Sequence, residues 1–225
     1  FIMNEKTILC FGDSNTWGFV PDAFDPETLY MERFPASKRW PGIMHQLLGD
    51  GFNVIEEGLN GRTTNVEYPD LYGKSGTYYI LPCLYSHAPV DIVIVQLGTN
   101  DLKAIFNRDA IQISDGIAEI IDIIIGTSFG VRMKHPPQIL ICCPPPLSNE
   151  NFIDQNNEII FKGGMEKSFH LNEYFKSIAK NKGCHYLDLG QVVEYSKIDG
   201  IHFDEDGQKI VGRYIAKKIQ QIFNG

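Results

Sequence analysis

A serine at the end of an apolar run, and an Asp-x-x-His pair near the other end of the chain, are the residues best equipped for chemistry. The run Thr7-Ile8-Leu9-Cys10-Phe11 stops at Gly12-Asp13-Ser14-Asn15, and Asp199-Gly200-Ile201-His202 stands just before the last helical pattern. A serine hydroxyl is a poor nucleophile until a neighbouring base takes its proton. That base works best when a third group holds its ring. Asp199, three residues before His202, can reach back to one ring nitrogen and leave the other facing Ser14. The chemistry this predicts is acyl transfer through a serine.

Such a constellation needs a scaffold that brings distant segments together. Strand-like runs at 7–11, 53–57, 91–97, 138–143 and 185–189 alternate with helical patterns at 41–48, 114–125, 162–182 and 206–223. That alternation predicts an α/β fold with a parallel sheet covered on both faces. The run 91–97 is almost wholly apolar and β-branched, as a central strand buried on both sides requires. Ser114 or Asp115 is the expected cap of the second helix. Two stretches break the alternation. Residues 20–39 and 67–87 read as irregular insertions, the length of insertion that often forms lids or interface elements. With no repeat, low-complexity tract or linker in view, residues 1–225 are expected to form one domain.

Ligands of open α/β sheets bind beyond the carboxyl ends of the strands. After the first strand comes Gly12-Asp13-Ser14-Asn15, and after the second Gly58-Leu59-Asn60-Gly61-Arg62-Thr63-Thr64. Gly98-Thr99-Asn100-Asp101 follows the third, and Asp199 to His202 follow the fifth after a spacer. A nucleophile, a close-approach glycine, an amide side chain and a base with its orienter therefore share one rim. A serine in a Gly-Asp-Ser turn is, taken alone, more often a helix N-cap. Its partners on the same rim are what favour catalysis.

These four blocks resemble those of the SGNH, or GDSL-type, hydrolase family, and the resemblance covers the chain from Cys10 to about Gly207. Gly12 to Gly18, Glu56-Glu57-Gly58-Leu59, Gly98 to Ala104 and Phe161-Lys162-Gly163-Gly164 are similar to the branch of bacterial arylesterases and acyltransferases. The resemblance implies a three-layer α/β/α sandwich with a five-stranded parallel sheet of flavodoxin-like strand order. It implies Ser14 as nucleophile, His202 as general base and Asp199 as orienter. The oxyanion hole would be the backbone N–H groups of Ser14 and Gly61 and the side-chain amide of Asn100. Trp17, Phe34, Lys103 and Phe161 would shape the substrate pocket. The implied activity is a serine esterase or acyltransferase acting on small-molecule esters of short acyl groups, with no cofactor and no metal. Homo-oligomers occur in that branch and are an expectation here. At Asn15 the chain departs from the commonest motif, which often has an apolar residue there.

Other readings compete. The same triad would serve a carbohydrate O-deacetylase, with Tyr72, Tyr78 and Tyr79 stacking on sugar. A non-catalytic flavodoxin-like binding module would share the strand alternation but has no use for the triad. Gly126-Thr127-Ser128-Phe129-Gly130 matches a nucleophile elbow, yet a helical pattern precedes Ser128 where the elbow needs a strand. Gly58 to Thr64 lacks the Gly-Lys-Ser/Thr ending of a phosphate loop. Asp204-Glu205-Asp206-Gly207 lacks the glutamate that completes a calcium loop, and reads as an acidic helix start.

Composition narrows the classes. The chain of 225 residues carries a net charge of −8, the reverse of the basic surface that nucleic-acid binders present. Five cysteines, several within apolar runs and none in a CxxC, read as buried thiols rather than a disulfide or zinc framework. No run approaches a membrane span or a signal-peptide core, so a cytoplasmic enzyme is expected.

Overall fold

The computed structural model describes residues 5–224 except Phe24, Pro26, Gln155 and Asn157. Five strands form one parallel sheet: β1 (Lys6–Gly12), β2 (Phe52–Gly58), β3 (Ile92–Gln96), β4 (Gln138–Cys143) and β5 (His185–Asp188). Their order is β2-β1-β3-β4-β5, the flavodoxin-like order expected. Register is continuous across the centre, with Leu9 opposite both Ile55 and Val93. The middle strands are apolar on both faces because helices cover both: every residue of β3 is buried.

Among the described residues seven α-helices complete the layers: α1 (Ser14–Trp17), α2 (Trp40–Leu48), α3 (Gly76–His87), α4 (Ala110–Ile125), α5 (Gly164–Ser168), α6 (Leu171–Lys182) and α7 (Glu205–Asn224). From β1 the chain steps to one edge of the sheet and then returns strand by strand to the other. Right-handed crossovers therefore put α2 on one face and α3, α4 and α6 on the other. The last helix, α7, packs beside α2. Its Val211, Ile215 and Ile219 point inward at helical spacing and are fully buried. No helix among the described residues is long and apolar enough to cross a membrane.

Three expectations of local structure are corrected. Residues 67–87 are not irregular throughout, since α3 occupies their second half. It buries Ile80, Cys83 and Leu84 but presents Tyr78, Leu81 and Tyr85 to solvent. Apolar residues on the wet face masked the helical period. Helix α4 starts one turn earlier than expected, capped by Asp109 in a capping box with Gln112. Ser114 lies inside that helix, and its hydroxyl donates to the Ala110 carbonyl. The pattern at 162–182 is two helices rather than one. The Ser168 hydroxyl accepts the Leu147 N–H at 3.0 Å and ties α5 to the loop after β4 before α6 begins.

The sheet positions the nucleophile turn through close backbone contact. A Cβ on Gly58, at the end of β2, would lie 2.2 Å from the Trp17 backbone nitrogen in α1. Backbone on both sides leaves no side chain to yield. Gly58→Ala is therefore predicted to destabilise the protein by about 1–3 kcal/mol, the usual penalty for overpacking. Urea denaturation checks the stability. Ester turnover should fall as well, because α1 carries Ser14.

Candidate active site

The turn between β1 and α1 presents Ser14. Asp13 caps α1 by accepting the Asn15 N–H at 2.9 Å, and the Thr16 hydroxyl donates to the Gln96 side chain at the end of β3. From the far end of the chain His202 comes within 2.8 Å of the Ser14 Oγ through its Nε2. Its Nδ1 lies 2.6 Å from an Asp199 carboxylate oxygen. A carboxylate can only accept, so Nδ1 carries the proton and Nε2 is free to accept from Ser14. The other Asp199 oxygen accepts the backbone N–H groups of Ile201 and His202, each at 3.1 Å. The orienter is thus fixed by the loop it belongs to. Phe19 stacks on the His202 ring at 4.1 Å between centroids, and Phe152 meets it edge-on.

Asn15 supplies a link between the two loops. Its side-chain amide donates to the Ile201 carbonyl at 3.0 Å, and its Oδ1 accepts the Phe203 N–H at 2.9 Å. Its own carbonyl accepts from Gln208 in α7. An apolar residue at this position has no group to make the first two bonds.

A cleft of about 380 Å³ opens over the pair. Ser14, Gly61, Asn100 and His202 all line it. Gly61 takes φ +78°, a conformation that L side chains rarely adopt. Its N–H has no acceptor among the described residues, and its carbonyl accepts the Tyr68 hydroxyl at 2.9 Å. Asn100 uses one amide hydrogen on the Arg62 carbonyl at 3.1 Å, which leaves the other. Arg62 is itself buried. Its guanidinium donates to the carbonyls of Gly12 and Glu57 and lies 4.2 Å over the Phe11 ring. The Arg62 side chain therefore joins the ends of β1 and β2, and its backbone carbonyl ties them to Asn100 after β3. A pair of backbone N–H groups and a neutral amide converging on one cleft can stabilise a developing oxyanion without adding charge.

The remaining expected residues divide. Lys103 lines the cleft, whereas Trp17, Phe34 and Phe161 do not. Trp17 packs under the Arg33 guanidinium, the Phe34 backbone donates to the Gly18 carbonyl and accepts from the Arg39 guanidinium, and Phe161 is buried beside Phe152. The wall consists instead of Phe19, Leu29, Met31, Tyr68, Leu71, Lys74, Phe152 and Ile201 around the site. Both insertions contribute, through Leu29 and Met31 and through Tyr68, Leu71 and Lys74. Tyr72 and Tyr78 are largely exposed and Tyr79 packs near Phe11, so none of the three tyrosines expected to stack on sugar reaches the cleft. Ser128 follows α4 rather than a strand. The neighbouring Phe129 carbonyl accepts from Val90, just before β3, on the rim opposite Ser14.

A match to the GDSL-like lipase/acylhydrolase family covers residues 10–210, and the chain belongs to that family. This makes it a carboxylic ester hydrolase by class. Among solved structures it is similar to Est24, a carbohydrate acetylesterase from Sinorhizobium meliloti, with 36% identity and a TM-score of 0.89. That match covers 97% of this chain and 100% of the other. It is also similar to the aryl esterase of M. smegmatis, with 37% identity, a TM-score of 0.88, and coverage of 96% and 99%. An acetylxylan esterase from Xylanibacter ruminicola is 24% identical over 95% of this chain, which spans 43% of that protein's length.

Burial raises the Asp13 carboxyl from its ordinary 3.8 to about 6, against the opposing pull of the Asn15 N–H, His202 and Arg62. The folded state therefore binds this proton more tightly than the unfolded chain does. Its stabilising contribution is full below pH 4 and is lost as pH rises through 6. Two pH units correspond to roughly 3 kcal/mol. Asp13→Asn keeps the cap and removes the proton. It is predicted to flatten the decline in stability between pH 4 and pH 6, read from urea midpoints across that window.

Proposed function

We propose that the protein is a serine esterase working through an acyl-enzyme. The observation that carries this is the unbroken relay from Asp199 through His202 to a serine that opens on a cleft. Ser14 attacks the ester carbonyl as His202 removes its proton, forming the Oγ–C bond and leaving charge on the carbonyl oxygen. The N–H groups of Ser14 and Gly61 and the Asn100 amide hold that charge. Losing one such donor typically costs about 3–4 kcal/mol of barrier stabilisation. The alcohol departs with the proton from His202. Water, activated by the same ring, then releases the acid.

A cleft of about 380 Å³ has room for a small ester. Its apolar wall also supports transfer to an alcohol that competes with water. The relatives named as a carbohydrate acetylesterase and an acetylxylan esterase support acetyl as the acyl group. All five cysteines are unpaired, which supports a reducing compartment such as the cytoplasm.

Turnover of 4-nitrophenyl acetate by the wild type, Ser14→Ala and Ser128→Ala tests the assignment. Ser14→Ala is predicted to lower kcat by at least about 10⁴-fold with the fold intact, as removal of a nucleophile does. Ser128→Ala should match the wild type. Full activity in Ser14→Ala contradicts the reading.

A further inference from the structure

We propose that this cleft selects esters bearing a carboxylate, which Lys74 and Lys103 hold beside the scissile bond. The inference rests on the reading of Ser14 as nucleophile and adds a substrate class to it. Acidic residues outnumber basic ones by 28 to 20 in the chain, yet among the described residues two lysines and no aspartate or glutamate line the cleft. A site for neutral esters has no need of that reversal.

Both ammonium groups are held and both keep donors in reserve. Lys103 Nζ donates to the Tyr68 hydroxyl at 2.8 Å and sits over the Tyr68 and Phe161 rings, 5.0 and 5.7 Å from their centroids. Lys74 Nζ donates to the Asn60 carbonyl at 2.8 Å. An ammonium has three N–H donors, and each of these uses one on the protein among the described residues. Neither lysine forms an ion pair among the described residues. The nearby carboxylates are engaged elsewhere: Asp101 with Arg108 and Thr64, Asp13 with the Asn15 N–H, Glu67 with the Lys74 backbone. Burial, aided by Lys74 and opposed by Asp13 and Asp101, pushes the Lys103 ammonium down to about 8, and burial with Arg62 lowers Lys74 against the pull of Glu67. Two cations thus share one wall, an arrangement that a bound anion relieves.

Position gives the anion its purpose. The bond to Asn60 places Lys74 next to Gly61, and Tyr68 connects Lys103 to the Gly61 carbonyl. A carboxylate bridging the two lysines lies near the proposed oxyanion donors. Its binding energy then orients the carbonyl for attack. Charge-assisted bonds of this kind give roughly tenfold or more in discrimination each.

The test uses matched acid and amide pairs: 3-acetoxybenzoate against 3-acetoxybenzamide, and ethyl hydrogen succinate against ethyl succinamate. They place the carboxylate on the alcohol side and on the acyl side respectively. In at least one pair the wild-type kcat/KM ratio of acid to amide should be roughly ten or more, collapsing towards one in Lys74→Met/Lys103→Met. A double Lys→Arg variant should retain it. Should the methionine variants fail to fold, inhibition of the wild type decides. 3-Hydroxybenzoate or succinate should inhibit more strongly than its amide, and added salt should weaken that difference. A wild-type ratio of one or less in both pairs overturns the inference, as does a ratio unchanged in a folded double methionine variant. Ser14→Ala separates the two layers. If it is inactive while the ratio is one, only the carboxylate selectivity fails, whereas an active Ser14→Ala removes the nucleophile reading as well.

Discussion

The bond between Ser14 and His202 joins residues 188 positions apart, and nothing in either loop alone can fix it. What fixes it is Asn15. Its side chain donates to one backbone group of the His202 loop and accepts from another, while its carbonyl anchors α7. Asn15 is buried, and a buried amide left unpaired costs on the order of 1–3 kcal/mol. The pairing is therefore enforced from both sides: separating the loops strands the amide and two backbone groups together. The imidazole inherits its position from this clasp and its rotation from Asp199 and the Phe19 ring.

The same logic governs the other side of the site. Parallel strands end on one rim, so turns from β1, β2 and β3 meet there, but a rim is only as rigid as its cross-links. Arg62 binds carbonyls from the first two turns and offers its own to Asn100 on the third. Thr64 and Arg108 then hold Asp101, fixing the Asn100 turn from beneath. Prearranged dipoles of this kind need little reorganisation as charge develops, which is where electrostatic catalysis gains most.

Much of this was legible in the sequence, for definite reasons. Strands of four to seven residues with β-branched cores announce themselves, and the residues following each strand are the natural place to look for chemistry. Ser14, Asp199 and His202 could be found because strand ends converge by topology. The wall of the cleft could not. Phe19, Leu29, Met31 and Tyr68 come from segments without periodicity, where side-chain direction depends on turns and isolated bridges such as Phe19 with Arg33. Trp17 and Phe161 sit beside the right motifs yet point into packing. Asn15 was visible as a departure from the family pattern, but its partners lie 186 and 188 positions away and no local signal names them. Helix α3 was hidden by tyrosines on its solvent face.

The central claim is that Ser14, activated by His202, becomes covalently acylated. Labelling with a fluorophosphonate, followed by mass mapping of the modified peptide, addresses it without assuming any substrate. One adduct per chain on Ser14, lost in His202→Ala and insensitive to Ser128→Ala, is the predicted result. An adduct on Ser128, or labelling of Ser14 that persists at full rate without His202, would contradict the account.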